Sequence, residues 1–163
     1  MEKKRYGKKE DQALDAWVKL ARAYSMVQKK SREDIERTSL TAAQFAVLEC
    51  LYHKGPQLLG ELTRRMLVSA GNTTVVVANL EKEGYVERQQ DPKDRRKTTV
   101  RISQRGRMLL DKIFPAHARW MSQMFSTLSE QEQKQLSALL KKLGMSIQER
   151  FDPHFQGKSE EEK

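Results

Sequence analysis

The spacing of apolar residues changes once along the chain, and that change limits the possible folds. Over most of the sequence, Leu, Val, Ile, Met and Phe recur every three or four residues, which is the spacing of amphipathic helices. Between residues 85 and 102 the spacing becomes alternating and β-branched residues are frequent, as in half-buried strands. A polar, turn-prone segment at 91–96 divides this stretch into two runs. The sequence therefore predicts a mainly α fold with a small β-hairpin.

Six helices are predicted around this hairpin, with approximate bounds 10–37, 41–54, 57–66, 70–83, 103–127 and 129–150. Thr41-Ala42-Ala43-Gln44 and Ser129-Glu130-Gln131-Glu132 are capping boxes, in which two side chains bond helix amides that otherwise lack partners. Gly55-Pro56 and Gly84 should end the second and fourth helices, because glycine permits a left-handed cap and proline cannot continue the helix.

The third and fourth helices are joined by a tight turn, as in a helix-turn-helix, whose second helix enters the major groove of DNA. The first turn of the fourth helix is small and polar, so it could approach the groove floor. Asn and Thr can bond base edges or phosphates, and Thr or Val methyl groups can touch thymine methyls. The residues predicted to contact DNA from this region are Ser69, Gly71, Asn72, Thr73, Thr74, Val75 and Asn79. An ordinary capped surface helix would show the same pattern, so the helix pair alone does not establish that the chain binds DNA.

The hairpin carries most of the excess positive charge. The chain has a formal net charge of +9, which favours a polyanionic partner such as nucleic acid or an anionic membrane. Residues 85–107 hold eight basic and three acidic side chains, a local charge of +5. A basic hairpin directly after a recognition helix can lay its tip along the neighbouring minor groove. We therefore predict double-stranded DNA as the partner, with further contacts from Lys93, Arg95 and Arg101.

Six segments match a known family: Leu40-Thr41-Ala42-Ala43-Gln44-Phe45-Ala46-Val47-Leu48, Glu61-Leu62, Gly71-Asn72-Thr73-Thr74, Asn79-Leu80-Glu81-Lys82-Glu83-Gly84-Tyr85-Val86-Glu87-Arg88, Asp91-Pro92-Lys93-Asp94-Arg95-Arg96 and Ile102-Ser103-Gln104-Arg105-Gly106. In combination they resemble the MarR family of bacterial winged helix-turn-helix transcription regulators, over about residues 10–150. The resemblance implies a sequence-specific DNA-binding regulator, usually a repressor, that leaves a pseudo-palindromic operator when a small ligand binds. It also implies a structural salt bridge between Asp94 and Arg96, which leaves Arg95 as the first candidate for the minor groove.

The resemblance also implies an intertwined two-fold homodimer. The helix lengths agree independently, because the first, fifth and sixth helices are too long and too apolar for one small winged helix to cover. An intrachain three-helix bundle is the alternative. We predict a dimerisation region at 10–37 plus 103–150, a winged helix-turn-helix domain at 40–102, and disordered tails at 1–9 and 152–163.

Many members of the family that the chain resembles bind aromatic or phenolic compounds between the dimer helices and the winged domain. The side chains that could line such a pocket here are Trp17, Tyr24, Tyr52, His53, His117 and Trp120. Each of them, taken singly, could equally be an ordinary core or interface residue.

Other chemistry has less support. Cys50 is the only cysteine, which excludes a disulfide framework, favours a small core residue and indicates a reducing, cytoplasmic location. Cys50 and His53 could begin a zinc site, but one cysteine and three histidines give too few ligands, so no metal or cofactor is expected. No catalytic motif stands out, so the chain is not expected to be an enzyme. The alternative is a basic amphipathic protein that binds a membrane surface or a partner, which the hairpin disfavours.

Overall fold

The structure is a computed structural model that describes residues 6–66, 70–94 and 97–151. The chain divides into two compact units, 1–121 and 122–163. The helices and strands of the described residues are α1 (Lys8–Ile35), α2 (Ala42–Lys54), β1 (Gln57–Leu58), α3 (Leu59–Arg65), α4 (Ala70–Lys82), β2 (Val86–Gln90), β3 (Thr98–Ile102), α5 (Gln104–Met124) and α6 (Glu130–Phe151). The predicted mainly α fold with a hairpin is confirmed.

Both predicted capping boxes are present. The Thr41 hydroxyl accepts a hydrogen bond from the Gln44 amide (3.2 Å), and the Gln44 side chain accepts one from the Thr41 amide (2.9 Å). At the start of α6, the Glu132 carboxylate accepts a bond from the Ser129 amide (2.8 Å). These bonds satisfy amides that have no partner within the helix, so they fix where α2 and α6 begin.

The core of the first unit lies where α2, α3, α4, β3 and the start of α5 meet. Its side chains that are fully shielded from solvent include Leu48, Leu51, Leu62, Val77, Leu80, Val100 and Leu110. Burying each side chain of this size contributes about 1.5–3 kcal/mol relative to leaving it exposed. The part of the chain that carries the hairpin therefore has a hydrophobic core of its own.

The sheet has three antiparallel strands in the order β1-β3-β2. In the hairpin, Val86 faces Ile102 and Arg88 faces Val100. The prediction that the third helix begins near residue 57 is wrong, because Gln57–Leu58 is a short strand that pairs with β3. Leu58 has an extended backbone (φ −64°, ψ 140°), and the pairing gives its backbone groups partners that an isolated helix start would lack.

Helix α1 exposes most of its apolar face. Trp17 is 62% exposed and Tyr24 60% exposed, and Leu14 and Val18 are also exposed. In the second unit, α6 buries none of its residues, and Leu139, Leu140, Leu143 and Ile147 are exposed.

No helix in the described ranges is long and apolar enough to cross a membrane. Of the predicted tails, residues 8 and 9 belong to α1, whereas 1–5 and 152–163 lie outside the described residues.

Candidate nucleic-acid interface

Helix α4 has one buried face and one exposed face. Its buried side chains are Thr73, Val76, Val77 and Leu80. With 100° of rotation per residue, the opposite side of the helix is centred near Val75 and Ala78. Val75 is 58% exposed, and Asn72, Thr74 and Asn79 are exposed on either side of it. This exposed face is called the reading face below.

The position of Thr73 corrects the predicted set of contacts. Its side chain is 1% exposed and lies in the stripe that also contains Val77 and Leu80, so it is not offered to a groove. The i, i+4, i+7 spacing of these three residues could have indicated burial from the sequence. Gly71 lies in the first turn of α4, and Ser69 lies outside the described residues.

Two contacts hold the end of α4 in place. The buried Gln44 of α2 donates a hydrogen bond from Nε2 to the Glu83 carboxylate (3.2 Å). Gly84 adopts φ +76°, and the Tyr85 amide that follows donates to the Leu80 carbonyl (2.8 Å). A positive φ costs glycine little and other residues more, so Gly84 ends the helix and turns the chain into the hairpin.

An ion pair joins α4 to the hairpin. The Arg88 guanidinium on β2 donates to the Glu81 carboxylate on α4, with Nε and Nη2 at 2.7 and 2.5 Å from Oε2. These hydrogen bonds hold the pKa of Glu81 below its ordinary value and raise the pKa of Arg88. Sequence reasoning missed this pair, because Glu81 and Arg88 meet only once the turn at Gly84 is known.

A second ion pair lies across the hairpin. Arg101 on β3 faces Glu87 on β2, and its Nη2 lies 2.6 Å from the Glu87 carboxylate. Both side chains are more than half exposed, whereas Val100 beside them is buried. Arg101 therefore points away from the core. In the protein without DNA, the carboxylate of Glu87 partly neutralises the charge of Arg101.

The loop between the strands is shaped by Asp91, which sequence reasoning did not single out. Its carboxylate accepts hydrogen bonds from the backbone amides of Lys93 (2.7 Å) and Asp94 (3.2 Å). The Asp-Pro dipeptide is a turn signal that could have identified it. Lys93 is exposed at the tip. Arg95 and Arg96 lie outside the described residues, and with them the expected Asp94–Arg96 salt bridge.

Gly106 lets α5 pack directly against the start of the hairpin. The Ser103 hydroxyl caps α5 by accepting a hydrogen bond from the Gly106 amide (3.0 Å), and it donates to the Gly84 carbonyl (2.7 Å). A Cβ atom at position 106 would lie only 2.2 Å from the Tyr85 carbonyl oxygen. Only glycine therefore fits at this close approach of two backbones.

Three of the six aromatic residues predicted to line a pocket share one cluster. The Phe114 ring lies 4.9 Å from the His53 ring, which in turn lies 5.1 Å from the Tyr52 ring. The cluster continues through Phe45, whose ring centroid lies 4.7 Å from that of His117. Phe45 and Phe114 were not predicted, although Phe114 precedes His117 by three residues and so shares its face of α5.

The other three predicted aromatic residues lie elsewhere. Trp120 packs under the Arg37 guanidinium, 5.9 Å from the ring centroid. Trp17 and Tyr24 are on the exposed face of α1. Of the six, His117 lines a cleft of this chain. The predicted pocket would lie between the dimer helices and the winged domain, so it stays a prediction.

A cleft of about 310 Å³ lies beside the aromatic cluster, where α1, α2 and α5 meet. The His117 ring is bonded there through Nδ1 to the Asp34 carboxylate (2.8 Å), and both side chains are mostly buried. Arg37 and Lys112 also line the cleft, as do Phe45 and Ile113. The cleft therefore combines apolar walls with two cations, Arg37 and Lys112, and one carboxylate, Asp34, which is bonded to His117.

Other candidate chemistry is sparse in the described ranges. Tyr52 donates a hydrogen bond to Asp111 (2.5 Å), which raises the pKa of Tyr52. Cys50 is half-buried against the core, and burial raises the pKa of its thiol. No group of three metal-binding side chains occurs among the residues that the structure describes.

Comparisons with known proteins agree with this geometry. Residues 40–98 match the family model for the MarR family. The chain is 41% identical over 138 residues to the HTH-type transcriptional regulator YkoM of Bacillus subtilis, a match that covers 85% of this chain and 90% of the relative. It is 36% identical over 139 residues to the HTH-type transcriptional regulator MhqR of the same organism, with 85% and 96% covered.

The chain is also similar to two solved structures. A mutant MarR from E. coli complexed with operator DNA has a TM-score of 0.67 and 26% identity, with 79% of this chain and 96% of that chain covered. Bordetella bronchiseptica BpsR, whose DNA binding is regulated by 6-hydroxynicotinic acid, has a TM-score of 0.68 and 26% identity, with 80% and 98% covered.

Proposed function

The chain belongs to the MarR family of DNA-binding transcriptional regulators, and we propose that it is a repressor that binds a pseudo-palindromic operator as a homodimer and leaves it when an aromatic ligand binds. The observation that carries the proposal is the joining of the reading face of α4 to a basic hairpin. The Glu81–Arg88 ion pair and the turn at Gly84 hold these two parts together. Such a unit can place a helix in the major groove and a basic tip in the adjacent minor groove.

The proposed DNA contacts divide into two kinds. Asn72, Thr74, Val75 and Asn79 would face the bases or the nearby phosphates, because they are exposed and uncharged residues of α4. Lys93 and Arg101 would meet the sugar–phosphate backbone beside them. Arg101 would exchange its bond to Glu87 for a phosphate, which an exposed pair of this kind allows at little cost.

The homodimer is supported by the unburied apolar face of α1. Leu14, Trp17, Val18 and Tyr24 recur at the spacing of one helix face and are exposed in the single chain. Apolar surface of this extent usually marks an interaction site. A two-fold partner would cover it and would bring two reading faces to one operator, which is why the operator should be pseudo-palindromic.

The ligand class is supported by the cleft between α1, α2 and α5. Arg37 and Lys112 can attract a carboxylate or phenolate, and Phe45 and Ile113 can pack against a ring. BpsR responds to 6-hydroxynicotinic acid, a hydroxylated aromatic acid that combines these two features. A ligand that fits the cleft better in one arrangement of α1 and α5 than in another would shift the spacing of the two reading faces.

Footprinting over the DNA upstream of the protein's own gene, and over genomic fragments, tests the regulatory function. We expect a protected inverted repeat whose halves are centred about one or two helical turns apart, since each half-site receives one reading face. If no fragment shows a protected repeat while the protein is folded, the proposed function is wrong.

The effector proposal needs a separate test. A fluorescent operator duplex is titrated with protein, and 6-hydroxynicotinic acid or salicylate is then added. We expect release of the duplex from wild type and a weaker response from Lys112→Ala, because one charge of the cleft is removed. Lys19→Ala is the matched control, since Lys19 is paired with Asp15 on α1 and does not line the cleft. An equal response from both variants, or no release from wild type, would contradict this site.

A further inference from the structure

The reading face of α4 also indicates which base pairs it recognises. We propose that it reads A·T base pairs at the centre of each half-site, and that Val75 contacts the methyl group of a thymine there. This inference rests on the proposed function, because it presumes that α4 lies in the major groove.

The centre of the reading face carries no charge from Gly71 to Ala78, and Lys82 follows on the same line in the last turn. Gly71, Val75 and Ala78 follow one another at i, i+4 and i+7, with Asn72 and Asn79 along one edge and Thr74 along the other. Lys82, in the last turn, is the first basic residue of α4. The first three turns therefore offer the groove methyl groups, amides and a hydroxyl, but no cation.

This composition favours A·T over G·C base pairs. The commonest specific contact to guanine is a bidentate bond from Arg or Lys to O6 and N7, and α4 lacks either residue before Lys82. Asparagine makes the corresponding bidentate bond to N6 and N7 of adenine, and thymine is the base that presents a methyl group in the major groove. Asn72, Asn79 and Val75 thus match the two bases of an A·T pair.

Val75 is an apolar side chain that is exposed at the middle of the reading face. The neighbouring valines 76 and 77 are buried in the core, whereas Val75 is 58% exposed at the middle of the reading face. A β-branched residue is a poor choice for an exposed helix position, because its rotamer freedom is reduced there. Its two methyl groups gain burial only when something apolar covers them, and a thymine methyl on the groove floor would do so.

The spacing of the three readers sets the size of the motif. Asn72 and Asn79 are seven residues apart, about 10 Å along a helix that rises about 1.5 Å per residue. Successive base pairs are separated by about 3.4 Å, so this stretch of helix spans roughly three of them. Val75, between the two asparagines, would meet a base pair between theirs.

The test begins with selection of bound duplexes from a random-sequence DNA library. Each thymine of the selected duplex is then replaced in turn by deoxyuridine, which removes the methyl group and leaves the pairing intact. For wild type we expect an A·T run in each half-site and one position per half-site where the replacement weakens binding about fourfold, the effect of exposing one methyl group. In Val75→Ala that sensitivity should be lost, whereas the control Met108→Ala, which truncates an exposed apolar side chain on α5, should keep it.

Three results would overturn the inference. The first is that the selected half-sites carry G·C base pairs at their centres. The second is that replacing thymine by deoxyuridine weakens wild-type binding at no position. The third is that Val75→Ala is as sensitive to this replacement as wild type. All three are obtained with a selected, specifically bound sequence, so they would leave the proposed function standing. If the library yields no preferred sequence, the proposed function fails and the inference falls with it.

Discussion

At the scale of single residues, ion pairs govern how the charges of the hairpin are presented. Glu81 holds Arg88 and Glu87 holds Arg101, each across a boundary between two elements. Both pairs are partly or largely exposed, so each should contribute only about 0.2–1 kcal/mol to the free energy of unfolding. Their main effect is geometric, since the Glu81–Arg88 pair ties α4 to the first strand of the hairpin.

Glu81→Gln should therefore lower the free energy of unfolding slightly and weaken operator binding more clearly. The pKa of Glu81 is lowered in the folded protein, so the stability due to its charge is present above the ordinary value of 4.5 and is lost as the pH falls through the lowered value. Urea denaturation should show the difference from wild type at about pH 7, and this difference should shrink as the pH is lowered below 4.5.

Asp15→Asn is the matched control, because Asp15 also forms an exposed ion pair but does so within α1. It should cost a similar small amount of stability and leave operator binding unchanged. If Glu81→Gln binds the operator as tightly as this control does, the pair does not position the hairpin.

At the scale of elements, the close packing of α5 against the hairpin depends on Gly106. In Gly106→Ala the new Cβ would meet the Tyr85 carbonyl oxygen at 2.2 Å and Ile102 Cγ1 at 2.9 Å. A backbone atom cannot move aside easily, so we expect a loss of about 1–3 kcal/mol in the free energy of unfolding. Chemical denaturation measures it.

Gly144→Ala provides the comparison within α6. A Cβ there meets nothing within 4 Å, so the substitution should raise stability by up to about 1 kcal/mol through helix propensity alone. If both substitutions change the free energy of unfolding equally, the contact at the Tyr85 carbonyl does not destabilise Gly106→Ala.

Some helix ends could be predicted from the sequence, whereas one strand could not. The starts of α2 and α6 and the end of α4 were predicted, because capping boxes and a left-handed glycine are local signals. Strand β1 was missed, because two extended residues become a strand only when β3 lies beside them. Among the site residues, Asn72 and Val75 are exposed, as groove contacts require, whereas Thr73 was misplaced because polarity was weighed above its place in the apolar stripe.

At the scale of the whole molecule, the proposed recognition of an inverted repeat requires two copies of the chain. Trp17→Glu places a charge on the exposed apolar face of α1 and should convert the dimer to monomer, because an unpaired buried charge is costly at an interface. Analytical ultracentrifugation measures the change. Met26→Glu is the matched control, since Met26 is 71% exposed on the other side of α1 and should leave the dimer intact. Dimers that survive Trp17→Glu would exclude this face as the interface.

The central claim is that α4 and the hairpin together recognise a particular DNA sequence. The most direct measurement is a titration of the footprinted operator, and of a duplex with the same composition in shuffled order, at one fixed salt concentration. We expect two chains bound per operator and an affinity at least about 10³-fold higher than for the shuffled duplex. Equal affinity for the two duplexes would show that the basic surface binds DNA without reading it, and would contradict the account.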